Sequence, residues 1–129
     1  MPRVSAAFFA IGVLYLLMGM SWGMDMGASE DFAMAPAHAH LNLLGWVTMA
    51  IYGTFYALTQ NSLSPKLAWT NFVLAAAGVA VMIPSLALYL SGHEGKYVAG
   101  IVAGEIATVL SLLVFAVSVY QELVRPRPA

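Results

Sequence analysis

The side chains of this sequence that can do chemistry gather around one short stretch. His38 and His40 stand two residues apart in the run His38-Ala-His40-Leu-Asn42-Leu-Leu-Gly45-Trp46, and the remaining histidine is His93. Neutral imidazole is a common ligand for haem iron, copper and zinc, so three histidines brought to one place would point to a metal or a haem. Just ahead of them lie Met18, Met20, Met24, Met26 and Met34. Thioether together with imidazole favours Cu(I), and Asp25, Glu30 and Asp31 add negative charge that draws cations. The absence of cysteine excludes disulfides, thiolate metal sites and cysteine nucleophiles, leaving His, Met, carboxylate and backbone to hold any metal. The plainer uses of the same residues are hydrogen bonds from interfacial histidines to loop carbonyls and methionine as filler of an apolar core.

One carboxylate stands apart from the loops. Glu105 falls roughly eight residues, or about 12 Å at 1.5 Å per residue, below the outer end of an apolar stretch. A charged carboxylate at such depth costs some kcal/mol, so Glu105 is expected to be protonated, turned inward, or paired with a hydroxyl, imidazole or phenol. It would then gate protons or substrate, support a ligand histidine from behind, or simply bond a neighbour such as Tyr15, Tyr52 or Thr108.

The elements that must position these groups follow from composition. With 61% apolar and 9% charged residues, the 129-residue chain is no ordinary soluble domain, and five basic residues against six acidic, with no basic run, exclude a nucleic-acid footprint. A hydrocarbon layer about 30 Å thick needs roughly 20 helical residues to cross. Four apolar stretches meet that length: about Val4 to Met24, Ala37 to Leu58, Leu67 to Leu90 and Tyr97 to Tyr120. They predict an all-α integral membrane protein, four transmembrane helices in an up-down bundle forming a single domain over 1–129. Arg3, Lys66, Arg125 and Arg127 fall on one side and Lys96 on the other, which places both termini in the cytoplasm of a cell inner membrane and the loops 25–36 and 91–96 outside, in a periplasm. The first stretch is expected to be retained rather than cleaved, because the small-residue triplet Ala33-Met34-Ala35 lies too far past it.

Within that frame all three histidines reach the outer face: two in the first turn of the second helix, one in the loop after the third. Residues two apart on a helix point about 200° from each other, so His38 and His40 do different jobs. From His38 runs a polar and aromatic stripe, Asn42, Gly45, Met49, Tyr52 and Tyr56; from His40 runs an apolar one, Leu44, Val47, Ile51 and Phe55. Periodicity turns His38 inward. An apolar wall would suit a porphyrin equally well, so both histidines stand as candidate ligands, with His93 as the second ligand on the same face. The spacing Gly100 to Gly104, continued by Ala107, Thr108 and Ser111, together with Ala75-Ala76-Ala77-Gly78, provides faces for close helix contact, and Pro84 is expected to bend its helix.

The run from His38 to Trp46 resembles the helix that supplies an axial histidine to the low-spin haem in the catalytic subunits of the haem-copper oxidase and nitric oxide reductase superfamily. There the histidine sits near the outer end of its helix and, in the nitric oxide reductase branch, precedes a small residue, Asn and two apolar residues. His40, Asn42, Leu43 and Leu44 fit that pattern, so the resemblance implies His40 as the haem ligand. It covers some ten to twenty residues. The family's active centre needs further histidines on later helices, and the third and fourth stretches here have none. The outward arginines that meet haem propionates are also missing, leaving Lys96 as the basic candidate. A complete oxygen-reducing centre is therefore not encoded, and a single bis-histidine haem is the most that three histidines support.

These readings converge on a membrane haem protein, carrying haem b, for electron transfer or for sensing O2 or NO, and more a carrier or sensor than an enzyme. Two alternatives stay open. One is a small proton-coupled transporter using Glu105, similar in length to the small multidrug exporters, which however place their carboxylate on the first helix. The other is a copper-binding or accessory subunit of a larger assembly. Because four helices bury little interior, a homo-oligomer joined through the small-residue faces is expected, alongside the lipid bilayer and a redox partner.

Overall fold

Each apolar stretch is a helix, and the breakers between them set the ends. The computed structural model describes residues 1–93 and 95–126; Arg127, counted above in the charge balance, lies outside them. The helices are α1 (Arg3–Ser29), α2 (Ala35–Leu58), α3 (Pro65–Leu90) and α4 (Val98–Leu123), all long and apolar enough to cross a membrane, and no strand occurs among the described residues. The protein is a multi-pass, four-helix membrane bundle. α1 continues past the expected end at Met24 through Asp25 and Met26, because nothing before Glu30 stops it; Glu30 ends it with φ +56°, in the left-handed region. α2 and α3 carry Pro36 and Pro65 in their first two positions, where a missing N–H costs nothing. α3 runs through Pro84 without a break in its helical span.

Small residues decide how closely the helices approach. Along the antiparallel α1–α2 contact, Gly12 faces Trp46 and Met49, Gly19 faces Asn42, Gly23 faces His38, and Gly53 faces Phe8. Along α3–α4, Gly78 meets Thr108 and the Gly104 carbonyl, Gly104 meets Met82, and Gly100 meets Ser85. The Gly100 to Gly104 spacing is thus a packing face, as expected, but it is consumed inside the chain. Gly78, Gly100 and Gly104 of these faces join α3 to α4.

The deeper half of the bundle is held by aromatic rings and a polar chain. Phe8 stacks on Tyr56 and meets Tyr52 and Phe72 edge-on, while Phe115 of α4 lies 4.3 Å from Tyr52 of α2, centroid to centroid. Ser111 donates to the Asn71 amide oxygen at 2.6 Å, the Asn71 amide donates to the Tyr56 hydroxyl at 3.2 Å, and that hydroxyl shares a 3.0 Å bond with Ser118. These four buried groups satisfy one another across α2, α3 and α4, which is what polar side chains in hydrocarbon require.

Candidate functional site

The outer end of α2 is built on α1. Gly19 and Gly23, one turn apart, leave no Cβ between the helices, so α2 lies close enough for the half-buried His38 ring to reach the backbone of α1. His38 Nδ1 is 2.9 Å from the carbonyl oxygen of Gly19. A carbonyl only accepts, so Nδ1 carries the proton and donates it, which leaves Nε2 as acceptor. The Asn42 amide nitrogen lies 3.2 Å from that Nε2 and also donates to the His38 carbonyl at 3.1 Å. Both ring nitrogens of His38 are therefore spoken for by α1 and by its own helix. Its inward direction agrees with periodicity, but its surroundings make it a hydrogen-bonded packing residue.

His40 has the opposite setting. It is exposed on the outside of α2, above Leu43, Val47 and Ile51, which are exposed as well. Its Nδ1 lies 2.7 Å from the carbonyl oxygen of Pro36, one turn back, so Nδ1 again holds the proton and the ring is fixed in rotation. Nε2 has no hydrogen-bond partner among the described residues. Below it α2 passes through a π turn at Leu43–Thr48, with the Thr48 hydroxyl donating to the Leu43 carbonyl at 2.9 Å. Trp46, half-buried in that turn, closes over Gly12.

The other candidates are not drawn to this place. His93 is exposed in the α3–α4 loop, its ring edge-on to Tyr97 with centroids 6.1 Å apart, and its carbonyl accepts from the backbone of the exposed Lys96 at 3.3 Å. Met24 is 74% exposed and Met26 6%, so the two point to opposite sides of α1, and Met34 stands half-buried before α2. Among the described residues no group of three His, Asp or Glu side chains is placed to hold a metal ion. Glu105, expected to turn inward or pair with Tyr15, Tyr52 or Thr108, is exposed on the outside of α4. Tyr15 donates instead to the Ala76 carbonyl at 2.8 Å and Thr108 to the Gly104 carbonyl at 2.9 Å. The reason is the helical step: burying Gly104 and Ser111 against α3 turns the Glu105 position away from it.

Three contributors escaped the sequence reading: Gly19 and Gly23, which seat His38, and the Pro36 carbonyl, which holds His40. The four-residue glycine spacing on α1 is a signal that could have found the first two. Comparison with protein-family models, with curated proteins and with solved structures returns no match.

Proposed function

We propose that the protein binds haem b at the outer end of α2, with Nε2 of His40 as axial ligand, and serves electron transfer or the sensing of O2 or NO. The observation that carries this reading is the 2.7 Å bond from His40 Nδ1 to the Pro36 carbonyl. Ligating histidines usually donate their other ring nitrogen to a carbonyl or carboxylate, which fixes the tautomer and orients the free lone pair. The exposed aliphatic wall of Leu43, Val47 and Ile51 beneath the ring offers the apolar surface a macrocycle needs. His38, with both nitrogens occupied, stays out of the ligand set.

The donor set offers one imidazole. A haem held there would supply reversible one-electron chemistry or binding of a diatomic gas. The chain's own part is to orient one imidazole and to cover one side of the ring with aliphatic surface. Under the charge balance of the short loops, with Arg3, Lys66 and Arg125 at one end and Lys96 at the other, the site faces outward from an inner membrane. The test is an absorption spectrum after haem reconstitution. A Soret band in wild type and in His38→Ala but not in His40→Ala is the expected result; a band that survives His40→Ala removes the assignment.

A further inference from the structure

Glu105 and His40 share a level in the bundle. Leu41 of α2 packs with Met82 of α3, and Met82 is also the residue against which Gly104 of α4 is pressed. The same offset holds deeper, where Tyr52 meets Phe115 and Tyr56 meets Ser118. α2 and α4 are therefore parallel and in register, and Glu105 lies level with Asn42, about 3 Å below His40 at 1.5 Å per residue. Both side chains are exposed, on different helices, each in an otherwise apolar face: Val102, Ile106 and Val109 surround Glu105 as Leu43, Val47 and Ile51 continue below His40. Among the described residues Glu105 has no hydrogen-bond or ionic partner, and in a centred span it sits about 6 Å inside the hydrocarbon.

A lone carboxylate facing lipid at that depth is costly, and a lone imidazole nitrogen about 3 Å inside the same layer is its chemical complement. We propose that a second copy of this chain covers the His40 face: α4 of one copy seats on α2 of the next, and Glu105 meets Nε2 of His40 of the partner subunit. Two features of the fold favour this pairing. The groups match in depth only when both copies insert in the same orientation, which identical chains do. The contact also joins two different faces, so it repeats head to tail and can close as a ring. Whether the shared proton sits on the carboxylate or on the imidazole, one hydrogen bond satisfies both groups. Because Nε2 has a single lone pair, this contact and haem ligation compete for it; that clause alone rests on the haem reading, and the self-association does not.

The test uses the full chain in lipid vesicles, with energy transfer between donor- and acceptor-labelled copies. Wild type is expected to associate, and Glu105→Leu and His40→Leu each to weaken association about three- to twentyfold, the range polar contacts between membrane helices supply. A one-to-one mixture of the two variants keeps one intact half of the contact on each copy, so unlike copies pair more tightly than either variant pairs with itself. The doubly exchanged chain, His40→Glu with Glu105→His, regains self-association. Monomeric wild type, variants that associate like wild type, or a mixture no better than its components would each overturn the proposal. In parallel haem titrations Glu105→Leu takes up haem at lower concentration than wild type by the same factor. Failure of every variant and of wild type to bind haem would remove the haem reading and leave the association result standing.

Discussion

Two histidines of identical chemistry, two residues apart, receive different fates from the pitch of a single helix. The rotation of about 200° over two residues that leaves His38 on Gly19 carries His40 out to the surface, and this opposition was legible from spacing. Their hydrogen-bond partners were not, because a carbonyl belongs to every residue and nothing in the sequence marks those of Gly19 and Pro36. The consequence is measurable. Replacing His38 by Ala leaves the Gly19 carbonyl and the Asn42 amide without their partner, a loss of about 1–3 kcal/mol. Replacing the exposed His40 leaves stability within about 0.5 kcal/mol. Reversible unfolding in mixed micelles, scored by helical content, separates the two.

At the scale of elements, glycines set the distances between helices. A Cβ at Gly104 would press into Met82 and the Gly78 carbonyl, whereas one at Gly27 meets nothing within 4 Å. Gly104→Ala is therefore expected to cost about 1–3 kcal/mol through overpacking. Gly27→Ala is expected to be neutral or stabilising by up to about 1 kcal/mol, and the same unfolding assay compares them. Asn71→Leu removes the residue that links Ser111 to Tyr56, taking the acceptor of the buried Ser111 hydroxyl and one of the two partners of the Tyr56 hydroxyl; a loss of about 1–3 kcal/mol follows, and Asn71→Asp or Gln does not restore the geometry of both bonds. The four helices and the packing role of Gly100 and Gly104 were legible because hydrophobic length and small-residue spacing are local properties. Whether that face met a helix of the same chain or of another copy was not, since spacing is blind to connectivity. The π turn over Leu43–Thr48 was likewise hidden: no residue in that segment demands it.

At the scale of the molecule, α1 starts and α4 ends at one face of the bundle, and the histidine-bearing ends of α2 and α3 lie at the other. The chain lacks cysteine, so single introduced cysteines report sidedness without background. Ser91→Cys is expected to react with an impermeant maleimide in intact cells and Gln60→Cys only after lysis; the reverse pattern would invert the topology. The fold was readable because lipid imposes length and apolarity on every span. The site was not, because His40 and His93 are both exposed, on a helix face and in a loop, and spacing along the chain does not say which groups they meet.

Haem ligation by Nε2 of His40, as proposed, has one direct test: haem titration of His40→Gly, followed by absorption, without and with added imidazole. The account predicts that the Soret shift of wild type is lost in the variant and returns when free imidazole fills the vacated position. A variant that binds haem like wild type with no imidazole present would contradict it.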